Sequence, residues 1–309
     1  MNNNYRPIPL FRIPWIPLDV IFDLMSMEEM YNLYKCSKKS ESVAKHYNWR
    51  HKYVAKWSLG HNESTFTFSD LKFYFLENYS IFIKTARRPF EDHLVLHLAE
   101  LTNLFNPSIE VEITDFFRIR PLVSMMERFN IRLKTVNICS ECTLSDHTVL
   151  YRFALNSFKD IPCFTLSPKA PPSFQYLDSP GFTCDRLVIE SSSWVTIENI
   201  VNVFMDCKEV RFSRCPILPK IVYPIIQKWL QGSRNEEIVL EHSKKRVNKF
   251  PIEDITKDIP YWEVQRVKFR NDAEVFPVGY VIRRYDGVDA VICWNQWKFL
   301  LSTKFEILM

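Results

Sequence analysis

Across the C-terminal two-thirds of the chain, apolar residues recur as short alternating triplets. They read Val111-Glu112-Ile113, Val136-Asn137-Ile138, Phe164-Thr165-Leu166, Leu187-Val188-Ile189, Val210-Arg211-Phe212, Ile238-Val239-Leu240 and Val267-Lys268-Phe269. Their starts lie 25, 28, 23, 23, 28 and 29 residues apart. An apolar–other–apolar triplet is the signature of a strand with one buried face. Between the triplets, 119–129, 146–158, 196–205 and 220–230 carry apolar residues at helical spacing. The stretch between Leu166 and Leu187 holds Pro168, Pro171, Pro172 and Pro180, so an irregular crossover is expected there.

A strand-plus-crossover unit of this length, repeated in series, predicts a degenerate leucine-rich-repeat-like α/β solenoid. The repeat's usual Asn and strict Leu pattern are absent. A doubly wound α/β domain is the alternative, but the chain has five glycines and no G-x-G-x-x-G phosphate loop. At 279–292, Asp286-Gly287 sits in a tight turn between alternating segments, which predicts a β-hairpin. Such a hairpin is expected to cap the last strand of the series.

The first 48 residues have another pattern. Pro14 and Pro17 are suited to a helix start, and Leu18, Ile21, Phe22 and Met25 then recur at i, i+3, i+4 and i+7. Ser26-Met27-Glu28-Glu29 reads as a capping box opening a second helix with Met27, Met30, Leu33 and Tyr34 on its apolar side. Ser37 can cap a third, carrying Val43, Ala44 and Tyr47. Three short helices offer more apolar surface than they can bury alone. Residues 51–90 are dense in aromatics, with strand patterns at 65–68 and 81–83, and read as a packed connector. A helix is expected over 90–105.

Composition narrows the function. With 47% apolar and 25% charged residues over 309 positions the chain is globular. No apolar run reaches the length of a membrane span, and the N-terminus lacks a signal-peptide pattern, so an intracellular protein, cytoplasmic or nuclear, is expected. The net charge is +4, and residues 1–60 hold nine basic against five acidic side chains. A basic helical unit suits an acidic protein partner. Lys244-Lys245-Arg246 with Lys249 is the best candidate for nucleic acid, yet nothing resembling a groove-reading element accompanies it. The eight cysteines are scattered as reduced thiols would be. Cys139 and Cys142 form a single C-x-x-C without a second pair, and His93 and His97 an i, i+4 pair without a third ligand. No G-x-S-x-G or H-E-x-x-H is present. No cofactor or metal is expected, and a metal- or thiol-dependent enzyme is the weaker alternative.

Leu10-Phe11-Arg12-Ile13-Pro14, the helix that follows, and Leu33-Tyr34-Lys35-Cys36-Ser37-Lys38-Lys39-Ser40 resemble an F-box, with the Cys-Ser-Lys-Lys ending favoured in the group expanded in nematodes. The pattern departs from the family at Ile13, Pro17 and Ser26-Met27. Ser192-Ser193-Trp194-Val195-Thr196, Ile226-Gln227-Lys228-Trp229-Leu230-Gln231-Gly232 and the 279–290 hairpin resemble the F-box-associated type 2 domain. The resemblance implies an α+β protein with a small helical F-box at 8–50, the connector at 51–90 and a recognition domain at 91–309. It implies docking on a Skp-type adaptor, and through it a cullin, by Leu10, Phe11, Ile13, Pro14, Leu18, Ile21, Phe22, Met25 and Leu33. The recognition domain would hold a target protein for ubiquitination, with no catalytic residues of its own, no nucleic acid and no membrane.

Period-2 alternation adds a place for that target. If the apolar members of each triplet point inward, their neighbours point outward. The outward set includes Glu112, Asn137, Thr165, Arg186, Glu190, Glu209, Arg211 and Glu241, continuing through Val188 and Val239 to Lys268 and Arg270. These are the expected substrate-binding residues, on a face rich in acids towards its middle and basic at its last strand.

Overall fold

The computed structural model describes residues 14–25, 27–48, 53–60, 63–68, 71–76, 100, 102–139, 148–176, 181–215, 219–242, 252–256, 258–270, 274–295 and 297–308. Their fold is mixed α+β, built on one open sheet of fourteen strands.

The N-terminal unit comprises α1 (Trp15–Leu24), α2 (Met27–Cys36) and α3 (Lys38–Asn48). Pro14, extended at ψ 152°, precedes α1. Ser37 caps α3, its Oγ accepting from the Ser40 amide at 3.1 Å. The Phe22 ring meets Tyr47 edge-on at 5.0 Å, and the Tyr47 hydroxyl donates to Asp23, so α1 and α3 are tied by an apolar contact and a polar one. Tyr31 and Lys35 of α2 both donate to Glu100, which precedes the helical turn at 102–105. Ser26, the first residue of the expected capping box, lies outside the described residues.

Strands β1 (Val54–Leu59), β2 (Glu63–Phe68) and β3 (Leu71–Leu76) form an antiparallel meander, and β1 also pairs in parallel with β4 (Ser108–Ile113). The segment read as a connector therefore belongs to the main sheet. From β4 the sheet grows one strand at a time. The strands are β5 (Leu133–Ile138), β6 (Cys163–Leu166), β7 (Arg186–Ile189), β8 (Glu209–Ser213) and β9 (Glu237–Glu241), each parallel to its predecessor. The order never reverses, whereas a doubly wound sheet has a switch point. The crossovers hold α4 (Ile119–Phe129), α5 (Thr148–Phe158), α6 (Ile197–Asn199, running into a π turn at Ile200–Phe204) and α7 (Pro219–Leu230). The β6–β7 crossover carries no helix among its described residues, as its prolines suggest.

Local chemistry fixes these crossovers. Asp115 accepts from the Phe117 amide ahead of α4, and Asn130 ends that helix in the left-handed conformation at φ 50°. Thr196 and Asn199 form a reciprocal capping box, while Asn199 also reaches the Tyr176 carbonyl at 2.6 Å. Trp229 of α7 is fully buried, its indole N–H donating to the Asn235 carbonyl at 3.0 Å. Helix residues such as Leu122, Tyr151, Phe204 and Trp229 pack with Val111, Val136, Phe164, Leu187, Val210 and Ile238 in one continuous core. The core thus lies on one face of the parallel strands.

Beyond β9 the sheet changes character. After the short α8 (Ile252–Thr256), strands β10 (Tyr261–Phe269), β11 (Val275–Arg283), β12 (Asp289–Trp294), β13 (Lys298–Ser302) and β14 (Phe305–Ile307) all pair antiparallel. The hairpin appears as β11–β12 with Gly287 at φ 87° in its turn. The hairpin covers the last strand of the series, β11 pairing with β10, while β9 is joined by β13. One expectation is corrected here. The triplet at Val267 is a strand but not a further parallel repeat, since β10 lies four places from β9. Lys268 and Arg270 are accordingly not neighbours of the parallel strands.

Candidate functional site

On the face away from the helices, strand register aligns the alternate side chains into ladders. One runs Glu112–Asn137–Thr165–Val188–Arg211–Val239, and the adjacent one Glu110–Thr135–Cys163–Arg186–Glu209–Glu237. The outward-facing set therefore lies together on one surface. From β4 to β8 its members are exposed or half-buried, while the inward members are buried.

The charges on this face divide into satisfied and unsatisfied groups. Arg211 Nη2 lies 3.0 Å from Glu241 Oε1, and Ser213 Oγ donates to Glu241 Oε2 at 2.7 Å. Glu209 is held at 2.8 Å by Lys304, which bonds Glu236 at the same distance. Partial burial lowers the Lys304 pKa, but the hydrogen bonds to Glu209 and Glu236 outweigh it and raise the ammonium above its ordinary value. Glu112 receives the Cys139 thiol at 3.3 Å. Arg186 and Glu190 are exposed and make no side-chain hydrogen bond or ion pair with any described residue. The Arg211 Nε is buried without a hydrogen-bond partner.

Two adjoining depressions lie on this surface. One, of about 300 Å³, runs between Arg186, Glu209, Arg211 and Val239. The other, of about 450 Å³, has Val188 on its floor, with Arg186, Glu190, Arg211 and Glu241 around it. Val239, expected to face outward in the open, is only 3% exposed. It belongs to a second apolar cluster with Val267, Phe269, Phe276, Val281 and Leu300, formed where the antiparallel strands curl back over this face. Gly279 permits that curl: a Cβ there would lie 2.7 Å from methyls of both Val267 and Val291. The polar face is thus walled at β9.

The helical unit presents another surface. Of the expected adaptor-binding residues, Leu10, Phe11 and Ile13 lie outside the described residues, and Pro14 is exposed. Leu18 and Phe22 are 4% and 1% exposed and are part of the main core, while Ile21, Met25 and Leu33 are half-buried. The i, i+3, i+4 stripe is therefore largely the inward side of α1. Among the described side chains of α1, the large apolar ones left in solvent are Val20 and Leu24, one turn apart at 54% and 82% exposure. Sequence reasoning passed over them because they fall outside the stripe.

Cys142, His93, His97 and the Lys244–Lys249 basic run lie outside the described residues. No group of three or more His, Cys, Asp or Glu among the described residues is placed to hold a metal ion, and no described helix is long and apolar enough to cross a membrane. Comparison of the chain with family models, with curated proteins and with solved structures gives no match.

Proposed function

We propose that this protein is a non-catalytic recognition subunit of a Skp–cullin–F-box ubiquitin ligase, in which the N-terminal helices engage the adaptor and the open sheet face holds the protein to be modified. The observation that carries this reading is the presence of two separate unfilled surfaces on one chain. The exposed Val20–Leu24 pair lies on the unit whose residues resemble an F-box, and the charged face lies on the strands that follow. The parallel strands, added in sequence order with helices on one side only, are read as a degenerate leucine-rich-repeat-like solenoid with an antiparallel end. A solenoid's uncovered sheet suits a protein ligand better than a small metabolite, because it offers a broad surface and only shallow depressions.

The burial of Leu18 and Phe22 favours a second reading, in which the helices are simply part of a protein-binding scaffold with no ligase role. Affinity purification from cells distinguishes the two. The wild type is expected to retain the adaptor and cullin, and Val20→Asp with Leu24→Asp to lose them, since one central apolar anchor commonly contributes about 2 kcal/mol, or thirtyfold in affinity. Both positions are exposed, so the variant should keep its thermal stability. A wild-type protein that retains neither adaptor nor cullin would leave the scaffold reading in place.

A further inference from the structure

The depression over Val188 carries two charges of opposite sign that no described residue pairs. Arg186 and Glu190 bracket β7, four residues apart in the chain. In an extended strand that separation is about 13 Å. Val188 lies halfway, and it is the apolar floor of the same depression. The other nearby charges have partners: Arg211 is bonded to Glu241, and Glu209 to Lys304. Two exposed charges of opposite sign on either side of an apolar residue form a pattern that a ligand of complementary charge can match.

Strand β7 is flanked by β6 and β8, so its backbone groups are already engaged and no chain can be added as a neighbouring strand. A ligand must lie over the face and be held through side chains. An extended segment lying along β7 points residues i, i+2 and i+4 to the same side, with the rise of the strand beneath it. We infer that this face binds an extended peptide segment of the form acidic–x–apolar–x–basic, its carboxylate at Arg186, its apolar side chain on Val188 and its cation at Glu190. The inference rests on reading the open face as a receptor, but it does not need the ligase role.

The test uses the full chain and fluorescein-labelled peptides whose core is Asp-Ser-Val-Ser-Lys, in low salt, followed by anisotropy. A control peptide of identical composition places Lys three residues after Asp, which turns the two charges to opposite sides. The wild type is expected to bind the first peptide about tenfold more tightly than the control. Arg186→Glu should weaken the first peptide by about tenfold and restore binding to a Lys-Ser-Val-Ser-Lys core. Equal binding of the spaced and offset peptides by the wild type, or no binding of either up to about 1 mM, overturns the proposal. That comparison needs no variant, so it stands even if a substitution impairs folding. Peptide binding with no adaptor in the cellular purification would remove the ligase role and leave the receptor; adaptor binding with no peptide selectivity would do the reverse.

Discussion

The parallel strands β4–β8 and the antiparallel strands β12–β13 belong to one sheet, yet they treat their second face in opposite ways. In β4–β8 alternate residues are buried and the rest are exposed or half-buried; in β13 every residue is buried, and in β12 only the end residues are not. A single ladder passes through both regions, from Thr165 through Val188, Arg211 and Val239 to Leu300. Along it the side chain changes from a polar group in the open to an apolar group beneath β10 and β11. The contrast shows that the polar face is not a general property of the sheet. It ends where the chain has enough apolar residues, and a glycine at 279, to fold back on itself.

The sharpest way to break the comparison is to place the same side chain at both ends of that ladder. Leu300→Lys buries an unpaired ammonium under the second cluster and should cost more than about 4 kcal/mol, or prevent folding. Thr165→Lys, on the open end, should stay within about 0.5 kcal/mol of wild type. Urea denaturation of the two variants measures the difference directly, and equal losses would mean that the face is not open at β6.

Gly279→Ala probes the curl itself. Its Cβ would meet Val267 and Val291 methyls at 2.7 Å, and branched side chains have little freedom to retreat, so a loss of about 1–3 kcal/mol is expected. A variant as stable as wild type would show that the closed end has room this packing denies.

A third difference appears at alkaline pH. Burial pushes the Cys293 thiol, inside the closed cluster, up to about 12. The unfolded chain ionises its thiols near pH 8.5, so above that value it binds fewer protons than the folded protein and stability falls as pH rises. The expected slope is at most about 1.4 kcal/mol per pH unit for this thiol. Comparing urea midpoints of the wild type and Cys293→Ala at several values between pH 8 and 10 checks it. The variant should lose less stability over that range, although it starts lower.

The smallest effect concerns Lys304, whose bonds to Glu209 and Glu236 join the closed end to the open face. All three side chains are partly exposed, so Lys304→Ala should cost less than about 1 kcal/mol, and less still at high salt. A salt-independent loss of several kcal/mol would mark this contact as more than a surface pair.

Much of the central sheet was legible because its signals are local. Six of the seven triplets became parallel strands in series, and the helix at 119–129 appears with the same bounds, since alternation, helical spacing and capping residues act within a few positions. The outward-facing set was legible for the same reason: side chains two apart share a face whatever the strands pair with. What the sequence could not express is anything set by distant contacts. Val267-Lys268-Phe269 has the same alternation as its predecessors, and only tertiary pairing puts it beyond the hairpin and into the second apolar cluster with Val239. Arg211 and Arg186 look alike along the chain, but Glu241, thirty residues away from Arg211, occupies the first and leaves the second exposed. On α1, spacing identified one apolar stripe, and it was the surrounding core that took Leu18 and Phe22 inward and left Val20 and Leu24 outside. Periodicity therefore decided which residues share a face, and tertiary packing decided which faces remained open, because covering a face requires elements far apart in sequence to meet there.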